Sequence, residues 1–463
     1  MTMQRRRAAA IISIALLVSA SACTKSDDAK KTTTGTPGES GNVADQVDDA
    51  TEDCPEGFDT AGIEGDTIKL ISTYPTEGAL SAFAEIARGY NAYFDKINTA
   101  GGVDIAGKKY KIEVEGLNDN YNSSETVDLI DESFGPEGTG AFGTFSLVGT
   151  TNNLAVRDTM NDLCIPNVFA SSGSPTLGNP AYPWTIGSTL PLYSTEASAF
   201  AQYLKDEMPE AKVAMLLQVG EFGTGYETSF KQAIEGTKIT VVGSERYEAG
   251  LAADVTAQVT NLEATGADVF FNGATLLTCP AALKKAAELN WKPLTYVSGT
   301  CASKTLVGGA GPAGEGALTA SNVMDPNNPQ WDADPRMIEF KETVLDFAKG
   351  QGLAADQAEA ATTNGVVAYG WTLGELFVTA LENAESATRT DIVKSLNTLT
   401  AEAPGLIYEG ITLKTGENDR FLGEAAILSV YNSTDLYFKP LVEAPFDYEG
   451  GDAIPPALIT AEG

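Results

Sequence analysis

The 463-residue chain has no histidine, and its 30 lysine and arginine residues are outnumbered by 63 aspartate and glutamate residues. Without histidine it can form neither a His-based catalytic triad nor the commonest kind of zinc site. The net charge of −33 repels nucleic acid and anionic lipid headgroups, so neither is an expected partner. The composition therefore argues against an enzyme, a metal or cofactor site and a nucleic-acid-binding protein.

The chain begins with a segment typical of an export signal. Arg5–Arg7 supply a basic region, and Ala8–Val18 form an apolar run too short to be a permanent membrane span. Small residues at 19–22 precede Cys23, an arrangement that resembles a bacterial lipoprotein signal. We expect residues 1–22 to be removed and Cys23 to be lipidated at the extracytoplasmic face of the cell membrane. An ordinary secretory peptide cleaved near Cys23 is the alternative.

Residues 23–53 lack the apolar side chains that a folded segment needs. From residue 24 onward they contain no aromatic residue, and Val43 and Val47 are the only large apolar ones. Such a composition buries too little surface to offset the loss of chain entropy. We expect a disordered tether that holds a soluble body away from the membrane.

Four cysteines remain after Cys23, and they are Cys54, Cys164, Cys279 and Cys301. None belongs to a C-x-x-C pair, and an even number in an exported chain predicts two disulfides. The sequence alone allows three pairings. We favour Cys54–Cys164 with Cys279–Cys301, because Cys279 and Cys301 flank one strand-loop unit.

Short β-rich runs alternate with helical patterns in two series. In the first, Thr67–Thr73 and Asn167–Ala170 are predicted strands, and Leu80–Asn98 repeats apolar residues at helical spacing. In the second, Val213–Val219 and Val269–Asn272 are predicted strands. Alternating strands and helices imply parallel sheets covered on both faces. The predicted fold is therefore α/β, with two doubly wound parallel-sheet lobes.

The loops after the predicted strands are rich in glycine, serine and threonine. Because parallel sheets place functional loops at the carboxyl ends of their strands, these loops form the candidate site. Small hydroxyl residues and backbone N–H groups suit a neutral or anionic ligand better than acid–base catalysis. Taken singly, each of these residues could equally be a helix N-cap.

Several segments of the first series resemble one known family, the type I periplasmic solute-binding proteins of ABC importers, in the branch that binds leucine, isoleucine and valine. The resemblance covers about residues 62–445 and rests on 98–103, 107–110, 142–143, 149–155, 165–174 and 182–185. It implies two lobes joined by three crossovers, near Ser188, Asp325 and Gly423, with a ligand cleft between the lobes.

The same resemblance implies where the lobes begin and end. The expected N-lobe comprises residues 54–188 and 326–422, and the expected C-lobe comprises residues 189–325 and 423–447. Residues 448–463 are expected to form a C-terminal tail.

The resemblance also implies how the loops are used. It places the ligand's carboxylate at Thr150, Thr151, Ser172, Gly173 and Ser174, and an aromatic cover at Phe222. The predicted site is completed by loop residues of both lobes, which are Thr76, Gly149, Thr275 and Thr300. Amino-acid binders of the family carry an acidic residue near Thr300 that pairs with the ligand's ammonium, and this chain has none there.

These observations predict a solute-binding protein that delivers an amino acid, a carboxylic acid or an amide to the permease of an ABC importer. The expected partners are the small molecule, the permease subunits and the membrane through a lipid anchor, and the chain is expected to be a monomer. A ligand-sensing receptor subunit of the same fold is the alternative. For an enzyme, Glu221 with Asp119 is the one carboxylate pair that the loops offer from opposite lobes.

Overall fold

A computed structural model describes residues 43–135, 140–249, 254–416, 419–451 and 454–459. The predicted signal at 1–22, the lipidation site Cys23 and the first part of the predicted tether lie outside these residues.

The first seven strands of the chain form one sheet. They are β1 (Ile63–Glu64), β2 (Thr67–Thr73), β3 (Val103–Ile105), β4 (Lys108–Leu117), β5 (Gly143–Phe145), β6 (Asn167–Ala170) and β7 (Thr185–Gly187). The strand order is β3-β4-β2-β5-β6-β7, with β1 paired to β2. In this order β4, β2, β5, β6 and β7 each run parallel to their neighbours in that group, whereas β1 and β3 are antiparallel to their partners.

A second sheet has eight strands, and two further strands form a separate pair. The remaining strands of the chain are β8 (Lys212–Gln218), β9 (Thr240–Tyr247), β10 (Val269–Gly273), β11 (Leu294–Val297), β12 (Leu318–Ser321), β13 (Thr400–Glu402), β14 (Thr412–Lys414), β15 (Ala425–Asn432), β16 (Tyr437–Pro440) and β17 (Phe446–Asp447). The order is β16-β15-β12-β11-β10-β8-β9, with β17 paired to β15, while β13 and β14 pair only with each other. Strands β8 to β12 are parallel, and β15 joins β12 in the antiparallel direction.

Helices cover both faces of each sheet. They are α1 (Val43–Asp49), α2 (Glu85–Thr99), α3 (Ser123–Phe134), α4 (Thr150–Asp162), α5 (Tyr193–Glu207), α6 (Glu221–Ala233), α7 (Thr256–Glu263), α8 (Thr278–Glu288), α9 (Pro335–Gly350), α10 (Ala355–Ala361), α11 (Gly365–Asn383), α12 (Arg389–Leu396) and α13 (Pro456–Ile459). Helices α2, α9, α11 and α12 contribute to the core on one face of the first sheet, and α3 and α4 to the core on the other. Helices α5 and α6 cover one face of the second sheet, and α7 and α8 the other. The predicted fold class is confirmed.

The chain passes between the two sheets three times. It leaves the first sheet after Gly187. After Ser321 it returns to the first lobe, where α9, α11 and α12 pack against the first sheet, and it passes back to the second sheet between Lys414 and Ala425. The backbone of Leu192 donates a hydrogen bond of 2.8 Å to the carbonyl of Gly423, so the first and third passages run side by side. The residue boundaries of the two lobes stay predictions.

The predicted tether needs one correction. Residues 43–49 form helix α1, and Val47 is fully buried against the core of the first sheet. Disorder therefore does not extend to residue 53, because the Val47 side chain has a core to pack against.

The two favoured disulfides are confirmed. Cys54 pairs with Cys164 and Cys279 with Cys301, with Cα–Cα distances of 5.7 and 6.2 Å. Both distances lie in the ordinary range for disulfides. The first links the segment after α1 to the loop that precedes β6, and the second links the start of α8 to the turn at 299–301.

Described parts of the predicted tail pack onto the body. Ile454 packs against Leu192 and Phe421 beside the crossovers, and Thr176 donates a hydrogen bond of 2.9 Å to the carbonyl of Leu458. In the part of the chain that the structure describes, no helix is both long enough and apolar enough to cross a membrane.

Candidate functional site

A cavity of ≈ 90 Å³ lies between the carboxyl ends of the parallel strands of the two sheets. We call it the front chamber. The first sheet contributes the loops after β4, β5 and β6, and the second contributes the loops after β8, β10 and β11. This is where doubly wound sheets place their ligands. The lining residues are Phe83, Ile86, Tyr121, Val148, Gly149, Ser171, Leu190, Tyr193, Phe222, Thr275, Gly299, Thr300, Ala302, Ser303, Gly365, Val366 and Tyr369.

No charged side chain lines the front chamber within the described residues. Five aromatic rings do, and the polar groups beside them are hydroxyls and backbone amides. An ammonium enclosed here would lack a counter-charge, which is costly in a site shielded from water. The chamber therefore suits an apolar or aromatic body with a group that hydrogen bonds to neutral partners.

Aromatic pairs from both lobes build the walls. Phe83 and Tyr121 stack with ring centroids 5.7 Å apart, and Tyr193 meets Phe222 edge-on at 4.8 Å. Such pairs fix ring positions, because each ring restricts the rotation of the other. These pairs form part of the aromatic surface of the chamber.

Tyr121 is held in an unusual backbone conformation. Its φ of 59° lies in the left-handed region, which costs free energy for a residue other than glycine. Asp119 compensates, since it accepts hydrogen bonds from the Tyr121 backbone at 2.9 Å, from Thr126 at 3.0 Å and from Asn152 at 3.0 Å. Asp119 therefore positions the aromatic wall. Its partners are all in the first lobe, so the suggested pairing with Glu221 does not appear.

Helix α4 begins at the edge of the chamber without a side-chain cap. Gly149 precedes it with a φ of 108°, and a Cβ there would come within 2.9 Å of the Tyr121 ring. The first amides of a helix have no partner within the helix, and its dipole favours negative charge at this end. The start of α4 can therefore receive a carboxylate or a carbonyl oxygen.

The predicted site residues fall into two layers. Gly149, Phe222, Thr275 and Thr300 line the chamber. The other six lie behind the chamber wall or at its edges, and their contact with a ligand stays a prediction.

Thr150 and Ser172 share a hydrogen bond of 2.7 Å, and Ser172 lies 3.3 Å from the Tyr193 hydroxyl, so both support the wall from behind. Ser174 donates its backbone N–H to Ser172 at 3.1 Å, and Gly173 packs against the Tyr193 ring.

Two predicted residues lie at the edges of the site. Thr151 sits opposite Gly220 of the other lobe, where a Cβ on the glycine would be 3.4 Å from the threonine hydroxyl. The backbone of Thr76 donates to Asn118 at 3.0 Å, outside the chamber lining. Near the cleft, Leu80 packs with Leu276 and Leu306, which brings the lobes into apolar contact.

Several lining residues were not predicted from sequence. Tyr193 begins α5 directly after the first passage between the sheets, and Tyr369 lies on α11, where its hydroxyl meets Ser171 at 3.0 Å. Tyr193 follows β7, which the sequence pattern did not predict as a strand, and Tyr369 lies within a helix, so the rule about the carboxyl ends of predicted strands identifies neither. One indication was available for each residue. Tyr193 lies beside the predicted crossover near Ser188, and Tyr369 lies in the segment 326–422 that was expected to return to the N-lobe.

Glu196 lies directly behind the chamber wall and is fully buried. One carboxylate oxygen accepts hydrogen bonds from the Tyr296 hydroxyl at 2.7 Å and the Gly299 backbone at 2.8 Å, and the other has no partner among the described residues. Burial raises the pKa of Glu196 to about 7, so near neutral pH it is only partly charged. Glu196 does not itself line the chamber, and it contacts the chamber wall through the Gly299 backbone.

The chain was compared with known proteins. The model of a family described as "Periplasmic binding protein" matches residues 67–430. A curated relative, a Leu/Ile/Val-binding protein homolog of Brucella melitensis, is 27% identical over 218 residues, which is 47% of this chain and 56% of that protein. The chain thus aligns with little more than half of the length of this relative.

Solved structures share the fold at low sequence identity. A branched-chain amino acid ABC transporter protein of Thermus thermophilus with bound valine aligns with a TM-score of 0.70 at 18% identity, covering 84% of this chain and 98% of that one. A solute-binding protein of an ABC transporter from Rhodopseudomonas palustris, in complex with 3,4-dihydroxybenzoic acid, gives 0.67 at 16% identity, covering 83% and 98%.

Proposed function

Because the chain belongs to the periplasmic binding protein family, we propose that it captures a small carboxylic acid or amide in the front chamber and delivers it to an ABC importer. The observation that carries the ligand class is the chamber lining, which among the described residues combines five aromatic rings with no charged side chain. Capture by closure of two lobes is how this architecture presents a ligand to a permease.

Hydrogen-bonding groups are available for one end of such a ligand. The uncapped first turn of α4 suits a carboxylate, and the hydroxyls of Ser171, Thr300 and Ser303 lie on the same lining. The rings of Tyr193 and Phe222 then cover the apolar body. An α-amino acid fits less well, since nothing on this lining offsets its ammonium.

A thermal-shift screen tests the ligand class. Residues 43–463 would be screened against amino acids, the corresponding deaminated acids, their amides and sugars. A ligand at 100 times its dissociation constant should raise the free energy of unfolding by about 2.7 kcal/mol. Hits among acids or amides are the expected result. Stabilisation by amino acids or sugars alone would contradict the proposal.

We also propose that Cys23 carries a lipid that anchors the protein outside the cytoplasm, which rests on the sequence of residues 1–23. The test is fractionation of cells that express the full chain. Wild type should sediment with membranes and Cys23→Ala should be released, whereas equal release of both would contradict the anchor.

A further inference from the structure

A second cavity of ≈ 70 Å³ adjoins the front chamber at the crossovers, and we call it the rear chamber. Five residues line both cavities, and they are Leu190, Gly299, Ala302, Gly365 and Tyr369. Two glycines and an alanine leave the wall between the cavities thin. Gly149, at the start of α4, lines only the front chamber.

The rear chamber differs from the front one in its polar groups. Thr319 on β12 and Ser429 on β15 are directly paired across the antiparallel strands, so both side chains are on one face of the sheet. Both line the rear chamber, with exposures of 0% and 1%. The Thr319 hydroxyl has no hydrogen-bond partner within the described structure.

Asn322 adds an unused acceptor. Its amide nitrogen donates to the carbonyl of Thr189 at 2.7 Å, which fixes the side chain between two crossovers. Its amide oxygen is buried and makes no hydrogen bond to the described residues. A buried polar atom that stays unpaired destabilises the folded protein, so a ligand group that pairs with it gains affinity.

The single charged residue on the described lining is already engaged. Asp325 accepts hydrogen bonds from the backbones of Phe438 at 2.8 Å and Asn327 at 2.9 Å. The remaining groups are hydroxyls and an amide oxygen, which together call for a ligand atom that both donates and accepts. A hydroxyl group meets this need, whereas a second carboxylate would be repelled by Asp325.

We propose that the rear chamber is a subsite for a hydroxyl group at the end of the ligand remote from α4. The favoured ligand is therefore a hydroxylated acid, with its carboxylate at α4, its apolar body among the aromatic rings and its hydroxyl beside Thr319. This inference rests on the proposed function.

Titration calorimetry with two matched acids tests it. 3-Phenylpropanoate and 3-(4-hydroxyphenyl)propanoate differ only in the distal hydroxyl. Wild type should bind the hydroxylated acid about tenfold more tightly, the gain typical of a hydrogen bond to a buried group. The gain should vanish in Thr319→Val and shrink in Ser429→Ala.

Thr185→Val is the matched control. Thr185 is also a strand threonine, 1% exposed, whose hydroxyl has no partner among the described residues, but it lines neither chamber. The tenfold preference should persist in this variant. Equal affinity of wild type for the two acids, or a preference that survives Thr319→Val, would overturn the subsite.

Phenol separates this inference from the proposed function, since it carries the ring and the hydroxyl without a carboxylate. If neither acid binds, the carboxylate site is wrong, and a crystal soaked in phenol still tests the rear chamber. A phenol hydroxyl beside Thr319 and Asn322 would support the subsite. Phenol bound with its hydroxyl elsewhere, or not bound in the cleft, would refute it.

Discussion

The two chambers of the cleft use polar groups in opposite ways. Around the front chamber the hydroxyls of Thr150, Ser172 and Tyr193 are bonded to one another, and aromatic rings provide the surface. In the rear chamber Thr319 and Asn322 keep unpartnered polar atoms. Buried apolar surface supplies affinity with little discrimination, whereas buried unpaired polar groups reject a ligand that cannot pair with them. Among solutes without an ammonium group, the front chamber should therefore set how tightly a solute binds, and the rear chamber which of them is preferred.

The largest effect on stability should come from removing the disulfides. One disulfide lies beside the cleft and the other lies away from it, so the two can be compared. Cys54–Cys164 closes a separation of 110 residues away from the chambers, and Cys279–Cys301 closes 22 residues at the loop that lines both. Replacing the first pair by serine should lower the free energy of unfolding by about 5 kcal/mol, and the second by about 3 kcal/mol.

The loss of ligand affinity should instead be larger for the Cys279–Cys301 pair than for the Cys54–Cys164 pair. Without Cys279–Cys301 the turn at 299–301 must be ordered on binding, so affinity should fall by about fivefold. Loss of Cys54–Cys164 should leave the affinity of the folded protein unchanged. Denaturant unfolding and calorimetry on both double variants check this, and a stronger binding defect in the first pair would contradict the assignment.

The next prediction concerns how stability depends on pH through Glu196, which lies behind the wall that the two chambers share. Because the pKa of Glu196 in the folded state is about 7, above its ordinary value of 4.5, the folded protein holds that proton more tightly than the unfolded chain. Its contribution to stability is complete below pH 4.5 and is lost as pH rises through 7, amounting to roughly 3 kcal/mol at most.

Glu196→Gln isolates this contribution, since the amide does not titrate. Burial also raises the pKa of Glu424, to about 8, so the wild type carries a further slope of the same sign. The quantity to measure is therefore the difference in unfolding free energy between variant and wild type from pH 4.5 to 8. A difference that does not change with pH would show that Glu196 has an ordinary pKa.

A smaller effect is expected where the chambers meet. A Cβ on Gly299 would lie 2.8 Å from a Glu196 carboxylate oxygen, so Gly299→Ala should push the wall into both chambers. Affinity should fall by roughly tenfold to thirtyfold, the lower part of the range for overpacking a tight site. Gly350→Ala is the control, because a Cβ there meets nothing within 4 Å. Equal affinity of the two variants would remove Gly299 from the site.

Sequence reasoning located the sheets better than the cleft walls. The predicted strands Thr67–Thr73 and Asn167–Ala170 match β2 and β6 residue for residue, because short, mostly buried segments bounded by turns leave little choice. The rule that ligands bind at the carboxyl ends of parallel strands also predicted Gly149 and Phe222 correctly as lining residues. It could not predict Tyr369 or Thr319, which reach the cleft through crossovers and through pairing between distant strands.

Glu196 and helix α1 show a related limit. Glu196 stands among apolar helix residues, and only the packing of α5 on the second sheet shows that its carboxyl is buried. Val47 has one apolar neighbour of similar size in its segment, Val43, and only the core of the first sheet explains why it folds. Composition describes what a segment can bury, whereas the tertiary partner decides whether it does.

We expect the cleft to select solutes without an ammonium group, because no charged side chain lines its described front chamber. The most direct test is calorimetry of residues 43–463 with two matched pairs, phenylalanine against 3-phenylpropanoate and leucine against 4-methylpentanoate. In each pair only the ammonium differs. The acids should bind at least about a hundredfold more tightly than the amino acids, because burying an unpaired charge is costly. Equal or tighter binding of the amino acids would contradict it.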